Sequence, residues 1–378
     1  MQKYEPTFSL GAYRGSFPQR WVRRPMLKGV SQGLNRLLTG AERSGTKRVN
    51  LALQGGGAHG AFTWGVLDHL LEDGRLSIAG ISGASAGAVN AVMLADGLAR
   101  GGPEEARTRL ADFWREASLA GKLPGAQRSA LEQWFALLPA NTSPLQLFMD
   151  TMGRFMSPHD FNPLNINPLR DLIARFADFE AIRDFTALQL FISATNVRTG
   201  RLRVFRREHL TADVVMASAA LPMMFRAVEI DGEPYWDGGF TGNPPILPFL
   251  NANEIDDVLL VQISPLRRDK VPATARDILH RVNEITFNSA LDTELRALDY
   301  IGRMAAAGNG RARSINVHRI VLESVGTRLT MGSRLKTDRD FLTLLHRAGR
   351  RAARRFLDAH YADIGKRSTI DLATVSAA

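Results

Sequence analysis

The chain has 378 residues, of which 45% are hydrophobic and 23% charged, and it contains no cysteine. This is ordinary globular composition, which excludes disordered, fibrous and disulfide-framework proteins; without thiols, cysteine zinc sites, iron–sulfur clusters and a cysteine nucleophile are excluded too. The formal net charge is +10, and residues 1–48 alone hold ten Lys and Arg against Glu5 and Glu42. No apolar run reaches the roughly 18 residues that span a bilayer, and no apolar segment follows the charged start, so neither a membrane span nor a secretory leader is expected.

Regular structure is expected from about Arg48. Val49–Leu53 reads as a strand running into Gly55-Gly56-Gly57. Ala61, Phe62, Val66, Leu67, Leu70 and Leu71 follow at helical spacing and are stopped by Asp73-Gly74. Leu76–Ser82 reads as a second strand, then Gly83-Ala84-Ser85-Ala86-Gly87, then an apolar helix over Ala88–Ala99. Two strand–glycine–helix units in succession predict a parallel sheet covered by helices. Residues 104–185 read as helical and irregular, with large apolar groups concentrated in 131–161. Leu188–Asn196 reads as a buried strand paired with Arg201–Phe205, Asp213–Ala220 as a helix, and Phe225–Ile230 with Glu233–Trp236 as a hairpin about Asp231-Gly232. Asp257–Ser264 and Ile315–Leu322 are further strands; Ala273–Ala307 and Asp338–His360 are long helices, the last with an apolar and a basic stripe.

Three places carry chemistry-bearing patterns. In Gly83–Gly87, a sharp strand-to-helix turn holds Ser85 in a strained conformation with its hydroxyl at the sheet edge, and flanking glycines let the elements pack closely. The bland alternative is that Ser85 merely caps the helix. In Gly55–Gly60, missing side chains let successive N–H groups converge on one anion, such as the oxyanion of acyl transfer. The same loop satisfies G-x-G-x-x-G, so a dinucleotide-binding module competes; that reading wants a carboxylate ending the second strand, where Ile81-Ser82-Gly83 stands instead. Third, Asp237 ends a strand and opens Asp237-Gly238-Gly239, either an ordinary turn or a base for Ser85 whose pKa burial must raise. Of the eight histidines none sits in a recognisable motif, no metal-ligand spacing is present, and basic–aromatic interleaving of a nucleic-acid binder is absent.

A glycine-rich loop, G-x-S-x-G one β–α unit later and D-G-G far downstream together resemble the patatin-like phospholipases, in their bacterial form. Ala217–Pro222, Ser193–Asn196 and Asn162–Asn165 add to the resemblance, which covers about Val49 to Ser264. It implies a three-layer α/β/α fold with a mostly parallel central sheet, plus C-terminal helices. It also implies a Ser–Asp dyad cleaving acyl esters of lipids, with no cofactor and no metal. Carried over by position, Ser85 is the nucleophile and Asp237 the base. Gly55, Gly56, Gly57 and Ala58 form the oxyanion loop, Gly83 and Gly87 the elbow, and Gly60, Gly238 and Gly239 support. His59 stands where many members have Arg or Lys, and Met223-Met224 where smaller residues are common. Acyl transfer by the same dyad, and an α/β-hydrolase with a Ser–His–Asp triad, are the enzymatic alternatives. The expected organisation is a basic arm over 1–47, a catalytic domain over 48–265 and a mainly helical extension over 266–378. The expected partners are an acyl lipid and, transiently, an anionic membrane surface, met through the arm or the last helix; nucleic acid is not expected. The expected location is cytoplasmic, at the inner face of a membrane.

Overall fold

The computed structural model describes residues 45–120, 157–268, 270–307, 314–323 and 332–373. The basic arm, up to residue 44, and the apolar stretch 131–161, up to residue 156, lie outside the described residues.

Among the described residues eight strands form one sheet: β1 (Lys47–Leu53), β2 (Leu76–Gly83), β3 (Gln189–Asn196), β4 (Leu202–Arg206), β5 (Val228–Ile230), β6 (Glu233–Asp237), β7 (Asp257–Gln262) and β8 (Asn316–Val321). Their order is β5-β6-β3-β2-β1-β7-β8, with β4 also paired to β3. β3, β2, β1, β7 and β8 run parallel; β4, β5 and β6 pair antiparallel. The described helices are α1 (Gly60–Asp73), α2 (Ala86–Gly101), α3 (Pro103–Ala120), α4 (Pro158–Phe161), α5 (Pro168–Phe176), α6 (Phe179–Asp184), α7 (Ala212–Ser218), α8 (Ala275–Ala306) and α9 (Arg339–His360).

Period-2 alternation along the strands builds two cores, one on each side of the sheet. Leu51, Leu53, Ile81, Ile192, Leu259 and Val261 face the core that α1, α2, α3 and α9 cover. Ala52, Phe191, Val258, Leu260 and Val317 face Leu291, Leu295 and Leu298 of α8. Helices therefore lie on both faces of a mostly parallel sheet, the three-layer α/β/α fold. The stretch 266–378 supplies both the edge strand β8 and the layer-forming helices α8 and α9.

The expected element ends hold to within a few residues, and local chemistry explains them. Gly74 closes α1 in the left-handed conformation at φ 71°. Asp231 and Gly232, at φ 53° and 77°, make the mirror-image turn that joins β5 to β6. Asp338 caps α9, its side chain accepting from Phe341 N. The apolar stripe of α9 (Phe341, Leu345, Ala348, Ala352 and Phe356) is buried in the first core. α9 crosses α1 at close range: a Cβ on Gly65 would stand 1.9 Å from the His346 carbonyl oxygen. Asp68 of α1 ties the layer together, accepting from Arg107 of α3 at 2.8 Å and from His346 of α9 at 3.1 Å, beside Arg350. The basic stripe of α9 is thus partly consumed in ion pairs, while Arg347, Arg351 and Arg354 remain exposed.

Candidate active site

β2 and β3 pair only as far as Gly83 and Ile192. Two residues further along β3, Ala194 pairs with Asp237 of β6. β4 occupies the other side of β3 throughout, facing Ile192 and Ala194 alike. So β6 enters, antiparallel, the lane that β2 has just left, and its last residue, Asp237, meets the turn that carries Ser85. Two residues far apart in the chain are brought together by strand succession.

Ser85 has φ 52° and ψ −124°, a strained conformation for a residue with a side chain. It precedes α2, yet its hydroxyl makes no capping bond to that helix. The turn is held from outside: Ser85 N donates to the Ser218 carbonyl at 3.1 Å and to Ser218 Oγ at 3.0 Å. It is also held by close packing, since a Cβ on Gly87 would stand 2.0 Å from the Leu53 carbonyl oxygen and one on Gly83 2.6 Å from that of Gly87.

Asp237 is fully buried. Its N–H donates to the Ala220 carbonyl at 2.9 Å, so α7 and the turn after it grip both Ser85 and Asp237. Oδ1 accepts Gly239 N at 2.7 Å, whereas Oδ2 is buried without a hydrogen-bond partner. Burial pushes the carboxyl up to about 7, against the Gly239 N–H, the neighbouring Ser85 hydroxyl and the charge of Arg334, which all pull down. Ser85 and Asp237 are thus neighbours without a well-formed hydrogen bond between them. Ser193 and Thr195 fasten the Asp-Gly-Gly turn, donating to the Gly242 carbonyl and the Asp237 carbonyl at 2.8 Å each. Gly238 and Gly239 are needed for closeness: a Cβ on them would meet the Ser193 carbonyl oxygen at 2.3 Å and the Phe287 ring at 2.4 Å.

The glycine loop also packs against the Ser85 turn. A Cβ on Gly55 would stand 2.7 Å from Ser85 Cβ, and one on Gly60 2.7 Å from Ala86 Cβ. The Gly55 N–H is committed to Asn243 Oδ1 at 2.7 Å, and Asn243 in turn donates to the Phe287 carbonyl. Of the expected oxyanion donors, Gly55 therefore has its amide occupied, which leaves Gly56, Gly57 and Ala58. Gln54 anchors the loop to the end of β7, its Oε1 accepting Ile263 N and Ser264 N at 2.8 Å each. His59 is buried, shares a 2.7 Å hydrogen bond with Ser333 Oγ, and is pushed down to about 3 by burial and by the charges of Arg334 and His280. It is a neutral imidazole at neutral pH.

Among the described residues His318 hydrogen-bonds Asp257, His346 Asp68, and His360 Asp363. None has Ser85 as a hydrogen-bond partner. His318–Asp257 stands on β8 and at the start of β7, the edge of the sheet opposite the Ser85 turn. Among the described residues no group of three or more His, Cys, Asp or Glu is placed to hold a metal ion, and no helix is long and apolar enough to cross a membrane.

Ser218, Asn243, Gln54 and Arg334 are site residues that sequence reasoning missed. Ser218 does lie in a stretch with family resemblance, and Asn243 immediately precedes the apolar run Pro244–Leu250. Arg334 has no local signal.

A strained serine at a strand-to-helix turn, beside a glycine loop and a buried carboxyl at the carboxyl edge of a parallel sheet, defines an α/β protein of the nucleophile-elbow type. Residues 51–250 match the family described as patatin-like phospholipase, and the chain belongs to that family. Among solved structures it is similar to VipD from Legionella pneumophila (16% identity, TM-score 0.40), covering 83% of this chain and 67% of that one. It is also similar to the type III effector ExoU (17% identity, TM-score 0.37), covering 83% of this chain but only 53% of that one. Full-length ExoU of Pseudomonas aeruginosa, solved with SpcU, gives 14% identity and a TM-score of 0.29 over 88% of this chain and 77% of that one. No curated protein matches the chain.

Proposed function

We propose that the chain hydrolyses carboxylic esters of phospholipids or related acyl lipids through a Ser85–Asp237 dyad and an acyl-enzyme. Family membership supports lipid acyl hydrolysis in general. The observation that carries the finer reading is the uncapped hydroxyl of a strained Ser85 beside an unpartnered, buried oxygen of Asp237. Ser85 Oγ attacks the ester carbonyl carbon as Asp237 takes its proton. A carboxyl with a pKa of about 7 is matched to that task at neutral pH. The oxyanion is received by the amides of Gly56, Gly57 and Ala58; the last two open a one-turn helix and have no carbonyl behind them within it. Protonated Asp237 then protonates the departing alcohol, and water, deprotonated by the same carboxylate, releases the fatty acid from Ser85.

The test is incubation of the purified protein with a mixed lipid extract, followed by lipid mass spectrometry. Wild type is expected to deplete one or more diacyl lipids and accumulate lysolipid and free fatty acid, and Ser85→Ala to do neither. Equal product from both proteins would remove Ser85 from the reaction.

Substrate must arrive from a lipid surface, and exposed apolar groups surround this edge of the sheet. Ile278, Leu279, Val282 and Ile285 line the half of α8 that precedes Phe287, which packs on Gly239. Met223 lies just past the turn that holds Asp237, and Leu202 lies against Gly242. Exposed Arg198, Arg201 and Arg203 adjoin Leu202. An apolar rim with cations beside it suits shallow docking on an anionic bilayer. Ile278→Glu combined with Val282→Glu is expected to weaken co-sedimentation with anionic vesicles about tenfold or more, given roughly 1.5–3 kcal/mol per buried aliphatic side chain. Hydrolysis of a monomeric short-chain ester should fall far less. Unchanged vesicle binding would move the docking face elsewhere, for instance to the basic arm.

A further inference from the structure

Arg334 belongs to a one-turn helix, Gly332–Leu335, far outside the motif-bearing core, yet it stands at the catalytic edge. The neighbouring Ser333 hydroxyl bonds His59 of the glycine loop. A Cβ on Gly57 would lie 2.4 Å from the Arg334 carbonyl oxygen and 3.3 Å from its Cβ. The side chain lies between Ser264 and Phe287: Nη2 donates to Ser264 Oγ at 2.7 Å, and the guanidinium carbon is 5.7 Å from the centroid of the Phe287 ring, which packs on Gly239 beside Asp237.

This cation is half-buried and, among the described residues, has no ion pair with a carboxylate. Glu284, which is itself engaged by Arg268 and Arg281, and Asp237 act on Arg334 only through space. Elsewhere the half-buried arginines Arg107 and Arg350 each meet two or more carboxylates. A guanidinium taken partly out of water without a counter-ion is costly, and an anion that arrives with the substrate offsets the cost. Its planar fork fits two oxygens of a phosphate. In a glycerophospholipid the phosphodiester is separated from the acyl esters by the glycerol carbons alone, so an ester held at Ser85 leaves the phosphate a few ångströms from the glycine loop.

We propose that Arg334 is the seat for the phosphodiester of a glycerophospholipid, so that the site selects phosphate-bearing acyl lipids over neutral glycerides. The proposal rests on the reading of Ser85 as the acyl acceptor.

Two measurements test it, one without turnover. In a Ser85→Ala background, monomeric dihexanoylphosphatidylcholine is titrated calorimetrically, with dihexanoylglycerol as the neutral partner. Adding Arg334→Gln should weaken phosphatidylcholine binding about ten- to a hundredfold, the range for a hydrogen bond to a charged group, and leave the diacylglycerol affinity within about twofold. With Ser85 intact, the ratio of kcat/KM for dioleoylphosphatidylcholine to that for dioleoylglycerol in the same mixed micelles should fall by a similar factor, mostly through KM. Arg334→Lys should recover part of it, as a point charge without the fork. The ratio cancels any effect of Arg334 on Asp237, because both substrates use the same base. Equal loss for both lipids would make Arg334 a structural clamp between Ser264 and Phe287 and overturn the proposal. So would failure of the Ser85→Ala protein to prefer the phosphate-bearing probe. Arg334-dependent inhibition by oleate, with the phosphate-bearing probe indifferent to the substitution, would reassign the seat to a carboxylate. Failure of the dyad reading looks different: neither lipid is turned over in a Ser85-dependent way, while the calorimetric comparison still decides the role of Arg334.

Discussion

Ser85→Ala and Asp237→Asn are each expected to lower kcat/KM for an acyl ester by about a thousandfold or more, and the double variant scarcely further, because nucleophile and base act as one unit. The Asp237 variant separates chemistry from damage. The carboxyl has an ordinary value of 3.8 and is pushed up to about 7 in the folded chain by burial. Below about pH 4 it is protonated whether folded or unfolded, and Asn and Asp should give similar melting temperatures. Between those values the unfolded chain releases a proton that the folded chain retains, so the wild type loses stability as pH rises through about 7. At pH 8 Asp237→Asn should therefore melt higher than wild type while being nearly inactive. Wild-type kcat/KM should fall about tenfold per pH unit below 7, following loss of the base. A variant that melts lower at pH 8, or an acid limb near pH 4, would mean that Asp237 is not a strongly desolvated carboxyl and is poorly suited to take the Ser85 proton.

Much of the fold was legible because its signals are local. Buried parallel strands read as short apolar runs, the β5–β6 turn is announced by Asp231-Gly232, and α9 carries its apolar stripe in plain helical spacing. Ser85 and Asp237 were legible for a different reason: each lies in a glycine setting whose spacing is itself a pattern. Their proximity was legible only through the family resemblance, since physically it depends on β6 taking over the lane of β2 beside β3, and nothing in Glu233–Asp237 records which strand ended there. The same holds for the residues that steady the site. Ser218 holds Ser85 across 133 positions and Asn243 holds Gly55 across 188. A single polar side chain at such a separation leaves no periodicity behind. Arg334 is the extreme case, one of several cations in its stretch of sequence, whose meaning comes only from what the chain folds it against.

Gly57→Val is expected to lower kcat by at least about a hundredfold while leaving secondary structure and most of the stability in place. Gly57 sits at φ 59°, where a β-branched residue is strained, and its Cβ position is 2.4 Å from the Arg334 carbonyl oxygen. Both conflicts are relieved by the same movement, displacement of the loop away from the helix that carries Arg334. The loop is at the sheet edge and only its Ala58 belongs to a core, so most of both cores is left in place. The amides of Gly57 and Ala58, however, move with it, and loss of one oxyanion donor typically costs about 3–4 kcal/mol of transition-state stabilisation. Gly74→Ala supplies the control. Gly74 is at φ 71° with nothing within 4 Å of a Cβ, so it shares the backbone strain without any collision and lies at the far end of α1. It should lower the melting temperature by a few degrees, for roughly 1 kcal/mol, and leave turnover unchanged. If both variants lose stability but Gly57→Val keeps wild-type kcat, the glycine loop is a tight turn that packs against residue 334, and the oxyanion must be received by other groups around Ser85.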